Sequence, residues 1–276
     1  MSHTVVPEAE KLLDREFTVL DKGFVRLVDY MGSDDRIVQS ARVSYGKGTK
    51  TVREDKALIA YLLRNQHTSP FEQVILTFHI KLPIFVARQW VRHRTARMNE
   101  LSARYSEMKE EFFVPELGNV RYQDSVNRQG SAAADVPEDI QKAVIETLKA
   151  GQNASFTAYQ EMLNEGIARE LARINLPVSA YTEFYWQIDL SNLFHFLQLR
   201  LHPHAQKEIR DYAQILADIA KAVAPAAYDA FEEHMLHAVR FSASEMQAIK
   251  ALLKGEPNPL EGRALELFEQ KMQASC

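Results

Sequence analysis

The chain has 276 residues, 46% hydrophobic and 25% charged, with a formal net charge of −4. That is enough chain to bury a substantial core, its composition is that of an ordinary globular protein, and its charge excludes a global field drawing it onto nucleic acid. The one cysteine, Cys276, is the last residue, which excludes an internal disulfide and a cysteine metal cluster, makes a poor nucleophile, and suits a reducing cytoplasm.

The first residues, Met1 to Glu8, hold no basic region followed by an apolar block, so no secretory signal is expected. Nowhere do eighteen apolar residues run together, so no membrane-spanning helix is expected. Phe17-Thr18-Val19-Leu20 and Phe24 to Tyr30 flank the turn signal Asp21-Lys22-Gly23 and predict an antiparallel strand pair. Ser33-Asp34-Asp35 predicts a cap on a helix carrying Ile37, Val38, Ala41 and Val43, stopping near Gly46. Lys47 to Lys50 reads as a solvated basic loop. A helix from Arg53 to Asn65 should bury Ala57, Leu58, Tyr61 and Leu62. Gln66 to Glu72 breaks it, because Pro70 drives its predecessor out of the helical region.

Val74 to Leu82 is rich in branched and aromatic residues and predicts a strand. Pro83 suits the first turn of a helix running to about Arg94. On such a helix Gln89, Arg92 and His93 would share one face, with Ile84, Ala87 and Val91 on another. Glu107 to Asp139 is the least regular region, with Asn119 to Asp135 a polar surface excursion, a candidate lid. Val136-Pro137-Glu138 opens a helix to about Asn164, whose buried side should hold Ile140, Val144, Leu148, Phe156, Tyr159, Met162 and Leu163. Ile167 to Ile174 follows as a shorter helix.

Ala180 to Ile188 is the second clear strand. Asp189 should cap a helix from Leu190 to about Leu201, with Leu190, Leu193, Phe194 and Leu197 inward and Ser191, His195 and Gln198 on the other side. Pro203 is expected to begin another helix, with helical periodicity to about Val239. Ser242 to Glu245 resembles a capping box. The segment from Gly255 to Cys276 is charged and reads as peripheral. These elements predict one α+β domain over residues 1–276, a central antiparallel-rich sheet with flanking helices, and a peripheral extension at 240–276.

Chemistry concentrates between Gln89 and Ser106, which carries five arginines or histidines: Arg92, His93, Arg94, Arg97 and Arg104. Guanidinium forks match pairs of phosphate oxygens, although the same density also suits a solvated helix face or a docking surface. No glycine-rich dinucleotide or phosphate loop, no H-E-x-x-H metal spacing and no G-x-S-x-G elbow is present. Trp90 and Trp186 suit packing, and Glu72 could simply open the next strand.

Arg92-His93-Arg94, seven residues, then Ser102 resembles the signature of the flavin-dependent thymidylate synthases. The resemblance extends over about residues 24 to 240. It includes Ala41-Arg42-Val43-Ser44, His67-Thr68-Ser69-Pro70-Phe71-Glu72, Arg173 to Pro177, Asp189 to Arg200 and His204 to Ile209. It implies that family's fold and a homotetramer with active sites built from several chains. It implies reductive methylation of dUMP to dTMP, with 5,10-methylenetetrahydrofolate as carbon donor and FAD, reduced by NADPH, as hydride source. By position it assigns Ser44, His67, Ser69, Glu72, Arg92, His93, Arg94, Glu100, Asp189, Leu190, Ser191 and His195 to the flavin. It assigns Gln89, Trp90, Val91, Arg92, Glu100, Leu101, Ser102, Ala103, Arg104, Arg173 and Arg200 to dUMP. Arg200 is the expected catalytic group, stabilising an ionised uracil ring. No metal site is expected. Arg97 and Ser191 depart from the pattern, where a small hydroxyl residue and a larger or more basic one are common.

Two other readings compete. A cysteine-dependent thymidylate synthase needs an internal thiolate, which Cys276 does not supply. A nucleic-acid-binding module would need basic contacts spread over a face, which a net charge of −4 argues against.

Overall fold

The computed structural model describes residues 4–43, 52–124 and 130–273. Ser44, the expected helix stop at Gly46, the loop from Lys47 to Lys50, and Cys276 lie outside them. The elements run α1 (Pro7–Glu10), β1 (Glu16–Val19), β2 (Gly23–Met31), α2 (Asp34–Ala41), α3 (Val52–Arg64), β3 (Ile75–Pro83), α4 (Ile84–Trp90) and β4 (Arg97–Glu100). There follow β5 (Arg121–Gln123), β6 (Ser131–Asp135), α5 (Glu138–Asn164), α6 (Arg169–Ala172), β7 (Tyr181–Asp189) and α7 (Leu190–Arg200). The rest is helical: α8 (Lys207–Val223), α9 (Pro225–Phe231), a π-turn Glu232–Leu236, α10 (Ala243–Leu253) and α11 (Gly262–Gln273).

Five strands form an antiparallel sheet in the order β1-β2-β3-β7-β4. Alternation along β3 and β7 sends Leu76, Phe78, Ile80, Phe184, Trp186 and Ile188 into the core. There they meet Leu193, Phe194, Phe196 and Leu197 of α7 and Ile209, Tyr212 and Leu216 of α8. The opposite face carries Thr77, His79, Glu183, Tyr185 and Gln187. On it Arg26 donates to His79 Nδ1 at 3.0 Å, and His79 Nε2 donates to Glu183 at 3.2 Å. The His79 ring stacks on Tyr185 with centroids 4.7 Å apart.

The strand pair, the two central strands and the Asp189 cap form as the sequence reading expects. Asp189 accepts from the Asn192 N–H at 2.9 Å. Elsewhere tertiary packing shifts the boundaries. The helix after Ser33 ends at Ala41, leaving Val43 on the surface, and the Ser33 side chain makes no cap bond. Asp34 instead accepts from the N–H groups of Ala226 and Ala227 at 2.7 and 2.9 Å, fastening α2 to the start of α9. On α3 the buried residues are Ile59, Leu62 and Leu63, while Ala57 and Tyr61 face outward.

The long helix α5 departs most from its pattern. Ile140, Val144 and Leu148, the predicted inward stripe, are exposed. In the first half of the helix the buried positions are instead Gln141, Ile145 and Gln152, while Tyr159 is buried as expected. Both glutamines are buried because they satisfy loop backbone. Gln152 donates to the Phe113 carbonyl at 2.9 Å, and Gln141 donates to the Val136 carbonyl at 2.7 Å while accepting from Gly118 at 2.6 Å. The polar excursion at 119–135 contains the two-stranded sheet β5-β6. Helix α8 opens at Lys207, not Pro203, after a turn in which Ala205 donates to the His202 carbonyl. Within the described part of the C-terminal segment, Ser242 and Glu245 complete a capping box on α10. Lys271 of α11 bonds both Glu245 oxygens at 2.7 and 2.8 Å, and buried Phe268 packs edge-on to Phe241.

Candidate active site

The arginine-rich stretch is a helix end, a turn and an edge strand. Helix α4 stops at Trp90, four residues before the predicted end. Trp90 is fully buried among Phe184, Trp186, Phe196 and Tyr212, and Arg97 to Glu100 must reach back to pair with Gln187 to Phe184. Between these fixed points the backbone turns, with the His93 N–H donating to the Trp90 carbonyl at 3.0 Å. Gln89, Arg92 and His93 therefore do not form a helical stripe. Val91, expected on the apolar face, is exposed, and Val86 and Ala87 take the inward positions.

The turn lies against α7. Arg200, its last residue, donates through Nε to His93 Nε2 at 3.0 Å and through Nη2 to the Gln89 carbonyl at 3.0 Å. The His93 ring sits edge-on to Phe196 at 4.7 Å and 6.0 Å from His195. Burial first, then the neighbouring Arg200 and His195, pull the His93 pKa from its ordinary 6.5 down to about 4. Burial also lowers the pKa of Arg200. Arg92, His93, Arg94, Thr95, Asn192, His195 and Arg200, with Ile188 and Leu199 as apolar walls, line a cleft of about 290 Å³. Among the described residues Arg92, Arg94 and Arg200 have no carboxylate partner.

The remaining expected residues fall into two further groups on this chain. His67 and Ser69, with Ser40, Leu62, Gln66 and Pro70, line a separate hollow of about 590 Å³. There the His67 N–H donates to the Leu62 carbonyl at 2.9 Å, Gln66 takes the left-handed conformation at φ 59°, and Glu72 is exposed on the following 3-10 turn Phe71–Gln73. Beyond β4, Glu100 accepts from Thr182 Oγ1 at 2.7 Å, Leu101 donates to the Glu183 carbonyl at 2.8 Å, and Ser102 Oγ accepts from the Arg104 N–H at 3.4 Å. Arg104 pairs with Glu170 at 3.3 Å, both well exposed, and Arg173 sits on the next 3-10 turn. Ala103 is nearly buried. Ser191 is half-buried on the first turn of α7, and Arg97 is exposed on the edge strand.

Trp90 and Leu190 have no exposed surface on this chain, and their place is in the core behind the site. Sequence reasoning missed Thr95 and Asn192. Asn192 was findable: a residue three places after a capping aspartate is held by it, here through Nδ2 at 2.7 Å. It also missed Gln206, whose side-chain carbonyl accepts from Gln89 Nε2. No local signal links residues so far apart in the chain.

The family model described as thymidylate synthase complementing protein matches residues 26–226. A flavin-dependent thymidylate synthase of Treponema denticola is 61% identical over 262 residues, covering 95% of this chain and 98% of the relative. The chain belongs to the flavin-dependent thymidylate synthase family. Its α10–α11 segment matches a second family model, the thymidylate synthase ThyX C-terminal domain, over residues 239–274. Family members from Treponema pallidum and Thermus thermophilus are each 56% identical, the first over 99% of this chain and 90% of its own, the second over 86% of both. Among solved structures, a UMP/dUMP methylase from Streptomyces cacaoi bound with 5-Br dUMP superposes with a TM-score of 0.73 at 33% identity, over 80% of this chain and 99% of the other. The same enzyme bound with 5-Br UMP gives 0.71 at 34% identity, over 79% and 97%.

Proposed function

We propose that this chain catalyses the reductive methylation of dUMP to dTMP, with 5,10-methylenetetrahydrofolate as carbon donor, FAD as cofactor and NADPH as reductant. The observation that carries this reading is Arg200: a half-buried guanidinium held by two neutral acceptors, in a cleft with two further arginines that, among the described residues, have no carboxylate partner. Uracil C5 is a weak nucleophile, and its electron density rises when N3 ionises toward an enolate-like ring. A fixed cation beside N3 and O4 favours that ionised form, and in a water-poor cleft it is worth far more than in solvent. The ring carbon then attacks the electrophilic methylene, its proton at C5 is lost, and the bond from the methylene to the folate nitrogen breaks, so that the folate leaves as tetrahydrofolate. No thiolate is required, in keeping with a chain whose one cysteine is its last residue.

The donor set suits a flavin dinucleotide. Arg92, Arg94 and Thr95 offer forks and a hydroxyl to diphosphate oxygens, and Asn192 and His195 offer polar contacts beside the apolar Ile188 and Leu199. When bound, the flavin supplies the hydride that completes the methyl group. Ser102, Ala103 and Arg104 can give hydroxyl, backbone and guanidinium donors to the dUMP phosphate, with Arg173 three residues beyond Glu170, the ion-pair partner of Arg104. The separation of the three residue groups on one chain supports sites completed between copies in a homotetramer. The exposed Ile140, Val144 and Leu148 stripe supports burial in an assembly. The reading includes a cytoplasmic location.

The test uses purified protein. It should carry a flavin absorbance that bleaches with NADPH, and it should release tritium from C5-labelled dUMP only with the reduced cofactor. UMP run in parallel reports sugar selectivity. Arg200→Ala should keep its flavin and lose turnover. Protein that cannot be reconstituted with FAD overturns the reading.

A further inference from the structure

We propose that His93 is a positioning residue for Arg200: its neutral ring holds the guanidinium in place without cancelling its charge. The inference rests on the reading of Arg200 as the group that activates the uracil ring. Three features carry it. The contact runs from Arg200 Nε to His93 Nε2 at 3.0 Å, so the histidine nitrogen is the acceptor and its ring proton sits on Nδ1. The ring itself cannot drift. Its backbone N–H is tied to Trp90 at 3.0 Å, and its edge is wedged against buried Phe196 at 4.7 Å. The second hold, from Arg200 Nη2 to the Gln89 carbonyl at 3.0 Å, uses an oxygen in the last turn of α4, which has no helical partner of its own.

Both acceptors are uncharged, and that choice has a chemical consequence. A carboxylate would hold a guanidinium more tightly, but it would neutralise the field that Arg200 must present to a developing anion. A guanidinium has five N–H donors. Two are taken here, so three remain for a ligand. The depressed pKa of His93 keeps the ring an acceptor across the neutral range.

The experiment compares His93→Ala, His93→Gln and His93→Glu in the flavin-loaded enzyme at saturating dUMP. Gln and Glu match in shape and differ in charge, and each can place an oxygen near the Nε2 position. His93→Ala should lower kcat per bound flavin roughly 100-fold, the scale set by losing about 1 Å of alignment. His93→Gln should recover most of that loss, and His93→Glu should not. Equal kcat for Gln and Glu overturns the proposal. So does an Ala variant whose loss tracks flavin content, which makes His93 a flavin contact only. Nitrogen-15 NMR of the Arg200 Nε–H reads the hold without turnover. A protected signal in the wild type that is lost in His93→Ala supports the proposal, and one unchanged by the substitution overturns it. A wild type with no flavin-dependent turnover would sink the assigned reaction, while the NMR result would still decide the hold.

Discussion

A half-buried guanidinium without a counter-ion is destabilising for the fold, and burial lowers the Arg200 pKa accordingly. His93 adds to that cost. Its pKa lies near 4 in the fold and at 6.5 ordinarily, so between these values the unfolded chain binds a proton that the folded chain refuses. Folding stability should therefore be fully present above pH 6.5, fall as the pH drops toward 4, and level off below. The check is urea unfolding across that window for the wild type and His93→Gln, which lacks the titrating ring. The wild type should lose midpoint concentration on acidification relative to the variant. Parallel curves would mean that the ring titrates normally. Of this residue chemistry the sequence carried the identities, because Arg92-His93-Arg94 and the Asp189 to Arg200 segment stand out in both charge and order. It did not carry the contacts. That Arg200 meets His93 depends on how a turn and a helix end pack together.

Elements were legible where period and burial agree. Strands β3 and β7 bury one face under helices and keep their alternation, and α7 keeps its apolar stripe. They failed where backbone groups compete for the interior. On α5 Gln141 and Gln152 face inward because loop carbonyls need donors, and with Gln141 inward Ile145 rather than Val144 is buried; hydrophobic periodicity cannot register that need. The turn between β1 and β2 shows a demand that the sequence did announce, as Asp21-Lys22-Gly23. A Cβ at Gly23 would lie 1.9 Å from the Tyr212 hydroxyl and 2.8 Å from the carbonyls of Lys81 and Val19. That hydroxyl is itself fixed, donating to the Lys81 carbonyl at 2.7 Å. Gly23→Ala should therefore cost about 1–3 kcal/mol through overpacking, read as a lower urea midpoint at unchanged slope. Adding Tyr212→Phe should return only part of the loss, since the two backbone oxygens stay where they are. Full recovery would locate the whole conflict in the hydroxyl.

At the scale of the molecule, one chain divides its expected ligand groups between two distinct hollows, the cleft at Arg200 and the hollow at His67 and Ser69, and carries others on the segment beyond β4 around Ser102 and Arg104, which lines neither. A chain can display such groups apart and still act on one ligand if symmetry brings copies together, because a closed assembly repeats each interface contact and can set one group of a copy against a different group of its neighbour. Nothing in periodicity or charge announces this. It entered the sequence reading only through family resemblance, and the exposed apolar groups Leu171, Ile174 and Val178 beside the Arg173 turn are surface that such an assembly would bury. The idea can be tested with two inactive proteins. His67→Ala should fail for want of its hollow, and Arg200→Ala for want of its cation. If the two groups serve one site from different chains, mixing the variants one to one under conditions that exchange subunits should restore about a quarter of wild-type turnover, the chance that both contributors to a given site are intact. If each site is complete within a single chain, every site in the mixture still lacks one group, and turnover stays at the level of the separate variants.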